Sequence, residues 1–266
     1  MRKKVKQRFG KVQFMNRTNR KLMRFLCITF GITWLCWGSL AALIGAGILY
    51  FSHPVAVCLH LLGGFGPTIA SVLTLESGIC VSSVFKFVFA RKRNVGKFLW
   101  ISAMLEILVI GLSSMELNAE IPVVLVPLVF LQALFLYGGN EELGWRGIMQ
   151  PILEERFSFP VSALITGSAW GVWHLPLWFV DGASQQNIPF PEFFLLGLLL
   201  SIFFGAVYKK TGCVFFCCVL HGLTNTLLSL FVIKGNVPLA VGLCILLVWS
   251  FILWYSEQRK VRSRTA

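Results

Sequence analysis

Long apolar runs separated by short polar breaks dominate the chain of 266 residues. A helix needs about 20 apolar residues to cross a bilayer. Eight segments reach roughly that length: 25–51, 56–80, 98–115, 121–145, 161–180, 192–208, 213–232 and 237–256. The pattern predicts an all-α polytopic membrane protein with about eight transmembrane helices. Two segments are irregular. The second contains Gly63, Gly64, Gly66 and Pro67, and the inner half of the fourth is polar. Glycine and proline are tolerated in membrane helices, where small residues allow close packing. The stretch "PILEERFSFP", residues 151–160, reads as a short interfacial connection. There is no internal repeat and no low-complexity tract.

Composition supports this reading. The chain is 56% hydrophobic and 13% charged, with mean hydropathy +0.76. Soluble domains carry about 25% charged residues. The net charge of +13 is unevenly spread. Arg2, Lys3, Lys4, Lys6, Arg8, Lys11, Arg17, Arg20, Lys21 and Arg24 precede the first apolar run, with no acid among them. Further bases are Lys86, Arg91, Lys92, Arg93 and Lys97, then Lys209 and Lys210, then Arg259, Lys260, Arg262 and Arg264. The alternate loops hold Glu116, Glu120, Asp181 and Glu192, with Lys234 the exception. Bases that flank apolar segments follow the positive-inside rule and attract anionic lipid. They argue against nucleic acid as a partner. An even number of spans puts both termini in the cytoplasm. The expected organisation is a basic tail (1–24), one transmembrane domain (25–256) with its chemistry in about 121–232, and a second basic tail (257–266). The N-terminal basic region is too long, and the run after it too extended, for a cleavable signal peptide. The eight cysteines sit mostly in apolar runs without C-x-x-C spacing and read as small packing residues.

Ionisable groups inside spans cost about 2.5–3.5 kcal/mol each on insertion scales and usually face the bundle interior. In "YGGNEELGWRG", Glu142 and Arg146 are four residues apart and share a helix face, so they can pair. Glu141 is rotated by about 100° and can point elsewhere. The division suggested is one paired carboxylate and one free for chemistry. A solvated helix end explains the motif equally well. In "SAWGVWHLPLW", His174 follows Trp170 by one turn, and Pro176 should disturb the helix near the histidine. In "CVLHGLTNTLL", His221 and Asn225 share a face. Polar contacts between helices would account for either histidine alone. His53 and His60 read as structural or interfacial. Taken together, the three helices present a carboxylate, two imidazoles and an amide at overlapping depths. That set can activate water, move or orient a proton and stabilise an oxyanion.

The motifs "EELGWRG", "WGVWH" and "LHGLTN" resemble those of the CAAX prenyl endopeptidase and bacteriocin-processing (CPBP) family, also called the abortive-infection family. Its pattern is Glu-Glu-x-x-x-Arg, then Phe-x-x-x-His, then His-x-x-x-Asn or Asp. The likeness runs from about Asn140 to Leu228, with Trp170 where the family usually has Phe. The resemblance implies an eight-helix intramembrane protease of the glutamate or metallo type, in the cell membrane if the host is a prokaryote, with its site open to the cytosol. Its substrate would be a peptide or protein in the membrane. It implies Glu141 as general base, His174 as its assistant, His221 and Asn225 as oxyanion ligands, and Glu142 with Arg146 as the supporting pair. Glu141, His174 and His221 also supply the three protein ligands of a catalytic zinc site, so a divalent metal and metal-free water activation both stay open. The chain lacks H-E-x-x-H, the G-x-S-G of rhomboid-like proteases and the paired G-x-G-D of aspartyl membrane proteases. A non-catalytic scaffold or bacteriocin self-immunity protein on the same fold is the competing reading. A transporter with a Glu/His relay is a third, weakened by the missing inverted repeats.

Overall fold

A computed structural model describes the backbone of residues 2–75, 80–92, 94–114, 116–232 and 237–265. Residues 2–16, 238 and 260–265 are described in backbone only. The tail bases up to Lys11, together with Arg93, Lys234, Lys260, Arg262 and Arg264, therefore lie outside the described side chains. Among the described residues the regular elements are all helical, apart from an isolated antiparallel bridge between Leu117 and Phe231.

Every expected apolar segment meets a helix. These are α1 (Arg2–Gly45), α2 (Pro54–Gly64) with α3 (Gly66–Leu73), α5 (Gly96–Ser113), the broken segment Val123–Glu154, α9 (Phe159–Trp173), α10 (Phe190–Thr211), α11 (Val214–Leu230) and α12 (Val237–Thr265). A short helix, α4 (Val81–Phe89), lies in the connection after α3. Five of these segments are long and apolar enough to cross a membrane, or six if the bent α2–α3 pair counts as one span. The difference from eight is one of length. α9 has 15 residues and α11 has 17, or about 22 and 26 Å against a hydrocarbon core of about 30 Å. Pro176 has the expected effect: α9 stops at Trp173 and a 3-10 turn follows over Leu175–Phe179. The protein is an all-α polytopic membrane protein. Its outer surface agrees, since Val124, Leu35, Trp100 and Leu112 are each more than 60% exposed, an apolar coat suited to lipid.

The fourth expected segment needs correction. It is neither continuous nor finished at residue 145. A 3-10 turn (Val123–Leu125) leads into α6 (Val126–Phe135). The chain then unwinds, with Gly138 at φ 126°, a conformation that side chains rarely adopt. It re-forms as a 3-10 turn (Gly139–Glu141), α7 (Glu142–Gly144), a π-helical turn (Trp145–Met149) and α8 (Gln150–Glu154). The connection expected from residue 146 begins after Glu154, and Arg146 is fully buried.

Helix α1 braces the site from behind. Thr33 Oγ1 donates to the carbonyl of Gly63 (2.6 Å) and accepts from Trp173 Nε1 (2.7 Å). Trp37 Nε1 donates to the carbonyl of His60 (2.9 Å). Thr68 of α3 donates to the carbonyl of Asn140 (2.7 Å), which ties the broken segment to the α2–α3 bend. On the other side, α10 packs against α9, α11 and α12, and α11 against α5 and α6.

The bend sits this close to α1 because Gly66 has no side chain. A Cβ there would collide with Thr33 Oγ1 and come within 2.9 Å of the carbonyl oxygen of Thr29. Gly66→Val should therefore destabilise the protein by about 1–3 kcal/mol through overpacking, read as a lower melting temperature in detergent. Gly96→Ala, which meets nothing within 4 Å, should leave it unchanged. Equal melting temperatures for the two variants would contradict this packing.

Candidate active site

The broken segment delivers Glu141 and Glu142 at the point where helix re-forms after Gly138. The turn is fixed locally. The Glu141 amide donates to the carbonyl of Gly138 (2.9 Å), and the Gly138 amide to Asn140 Oδ1 (3.3 Å). The π-helical turn that follows carries Arg146. Such turns insert one residue per turn and occur often at functional sites.

Glu142 and Arg146 form the expected pair. Arg146 donates an η-nitrogen proton to Glu142 Oε1 (3.1 Å), and both side chains are 0% exposed. The same oxygen also lies 2.9 Å from His221 Nδ1. Glu142 thus joins the broken segment to α11, a link that helix spacing alone cannot reveal. Phe204 of α10 stacks on the His221 ring (5.2 Å) and lies under the Arg146 guanidinium (5.4 Å).

Glu141 points away from that pair, toward α9. Trp170 Nε1 donates to Glu141 Oε2 at 2.6 Å. The backbone oxygen of Trp170 lies 2.9 Å from His174 Nδ1. The indole meets both imidazoles edge-on, at 5.2 Å from His174 and 5.4 Å from His221. Trp173, Trp37 and Phe193 complete an aromatic wall around His174. One residue therefore touches Glu141, His174 and His221.

Asn225 lies one turn beyond His221 on α11 and donates to the unwound carbonyl of Tyr137 (2.6 Å). A Cβ on Gly138 would collide with Asn225 Nδ2 and stand 2.9 Å from His221 Nε2. The bare glycine lets the unwound backbone come close to both groups. All six candidate residues, Glu141, Glu142, Arg146, His174, His221 and Asn225, thus gather in one neighbourhood drawn from three segments.

Partner atoms fix the imidazole tautomers. A carbonyl oxygen can only accept, so His174 carries its proton on Nδ1 and presents a lone pair at Nε2. Glu142 Oε1 accepts from Arg146, so His221 Nδ1 is the donor of the second bond to that oxygen. Only a doubly protonated His221 can donate from Nε2.

Sequence reasoning missed several contributors. Gly138, the Tyr137 carbonyl, Asn140 and Thr68 shape the turn, and the Gly-Gly pair in "YGGN" was the available signal for a break. Glu106 is 0% exposed on α5 and accepts from Thr224 Oγ1 (2.9 Å), between His221 and Asn225 on α11. The criterion of an ionisable group inside a span would have singled it out.

Among known proteins, the family model of the type II CAAX prenyl endopeptidase, Rce1-like, matches residues 122–227. Over this segment, which holds all six candidate residues, the chain is similar to that family. A CAAX prenyl protease 2 from Methanococcus maripaludis is 41% identical over 63 residues. That stretch covers 24% of this chain and 22% of the relative, so the match spans about a fifth of the relative's length.

A metal at Glu141, His174 and His221 does not fit the arrangement. Among the described residues, no three His, Cys, Asp or Glu side chains are grouped to hold an ion. Glu141 Oε2 is already occupied by an N–H donor.

Arg146→Ala should cost about 3–5 kcal/mol by leaving Glu142 buried without its counter-charge, whereas Lys92→Ala, from the exposed pair with Glu257, should cost about 1 kcal/mol or less. Comparable losses by denaturant titration would contradict the buried clamp. Protein purified without chelator should contain no stoichiometric zinc by elemental analysis. A full equivalent that disappears in His174→Ala or His221→Ala would overturn the reading.

Proposed function

We propose that the chain is an intramembrane endopeptidase that hydrolyses a peptide bond of a membrane-associated peptide or protein, in the cell membrane and near its cytosolic face. The observation that carries this reading is the separation of two adjacent carboxylates. Glu142 is locked to Arg146 and His221, while Glu141 has one oxygen on Trp170 and no hydrogen bond to its Oε1 among the described residues.

In the proposed reaction, a water lies between Glu141 Oε1 and the lone pair of His174 Nε2. Glu141 takes one of its protons as the oxygen adds to the scissile carbonyl carbon. The developing oxyanion accepts from His221 Nε2 and from the second N–H of Asn225, whose first N–H holds Tyr137. Glu142 supports the imidazolium that this donation requires. When the tetrahedral intermediate collapses, the C–N bond breaks and the departing amine takes the proton from Glu141. The products are a new carboxyl group, which keeps the second water proton until it ionises to solvent, and a new amine.

The family description and the relative's name favour a protease, and they make a prenylated peptide the first substrate to try. Purified protein in detergent or liposomes should cleave such a peptide or another membrane-bound one. Glu141→Ala should lower the rate by about 100-fold or more, the scale of a lost general base, with the melting temperature retained. Full activity in Glu141→Ala would overturn the mechanism. If cells carrying Glu141→Ala and His174→Ala keep the wild-type phenotype, a non-catalytic scaffold or self-immunity role replaces it.

A further inference from the structure

Trp170 does more than line the site with an aromatic ring. Its indole N–H points at Glu141 Oε2 (2.6 Å), its own carbonyl faces His174 Nδ1 (2.9 Å), and its ring edges against both imidazoles. The side chain is 4% exposed, so water does not compete for the indole proton. Its place is also enforced from outside. A Cβ on Gly197 would stand 3.0 Å from Trp170 Cζ3, which leaves the indole no room to withdraw toward α10.

We propose that Trp170 is a positioning residue that holds the Glu141 carboxylate through Oε2 and thereby commits Oε1 to the water. This inference rests on the proposed hydrolytic reading. A carboxylate held at one oxygen keeps its other oxygen at a fixed distance from the lone pair of His174, because a single residue sets the position of both. Without the indole proton, the carboxylate of Glu141 is free to rotate about its last bond. It can then turn fully to Trp145 Nε1, a second indole donor that already lies beside this carboxylate and has no hydrogen bond of its own. A phenyl ring keeps the packing against His174 and His221 but supplies no donor. The family's usual Phe at this position would therefore position its glutamate by other means.

The test compares Trp170→Phe with wild type and with Glu141→Ala on one membrane-bound peptide. Trp170→Phe should lower kcat about 10-fold or more, the range for a lost hydrogen bond to a charged group, with KM within about two-fold and the melting temperature nearly unchanged. A wild-type chain carrying benzothienylalanine at 170 keeps the indole's size and loses only the donor. It should show the same fall in kcat. An unchanged kcat in both replacements would overturn the role of the N–H. So would a loss in Trp170→Phe that benzothienylalanine restores, because shape alone would then be responsible. If Glu141→Ala itself stays active, the hydrolytic reading fails first and independently of Trp170.

Discussion

The site depends on one buried oxygen. Glu142 Oε1 meets the Arg146 guanidinium and His221 Nδ1 at once, where both charged side chains are fully buried. A carboxylate and a guanidinium buried in a bundle gain little stability over apolar residues, since desolvation offsets much of their attraction. What they provide is a fixed geometry. Glu142 sets the register between the broken segment and α11. It fixes which nitrogen of His221 faces Gly138, and it leaves Glu141 turned toward α9. Removing either partner leaves an uncompensated charge in a region of low dielectric.

The backbone around that oxygen is unusual for related reasons. A regular helix from Val123 to Glu154 would bring Glu141 and Glu142 round on the 3.6-residue repeat with no carbonyl exposed to a neighbour. The break at Gly138 frees the Tyr137 carbonyl for Asn225. It also brings Gly138 against His221 and Asn225 with no side chain between them. The π-helical turn then carries Arg146 back onto Glu142 while α8 continues toward Glu154. Non-helical backbone at membrane depth is tolerated where it is buried in protein or lines a cavity, and here protein encloses it. Thr68 and Asn140 bond to each other across the gap, one through its hydroxyl and the other through its backbone oxygen.

Much of this was legible in the sequence. Apolar run length gave the class and the place of each long helix, but not the short α4 (Val81–Phe89) or the pieces of the broken segment. Helix spacing gave the Glu142–Arg146 pair, and Pro176 gave the end of α9. Three motifs on three segments gave the six residues that gather. Contacts between distant segments were not legible, because helical periodicity says which residues share a face and not which faces meet. The bond from Glu142 to His221 spans 79 positions, and that from Trp170 to Glu141 spans 29. The break at Tyr137–Gly139 was obscured for another reason. Its flanks are apolar enough to read as one span, and hydropathy does not register backbone conformation. Span count was similarly blurred, because α9 and α11 are apolar but short.

The central claim is a division of labour between neighbouring carboxylates, and one paired measurement addresses it. Glu141→Gln and Glu142→Gln are purified side by side, and each is scored for peptide cleavage rate and for melting temperature. The account predicts that Glu141→Gln melts near wild type and cleaves at background rate, whereas Glu142→Gln melts well below wild type as Arg146 loses its counter-charge. A stable, inactive Glu142→Gln beside an unstable or active Glu141→Gln would contradict it.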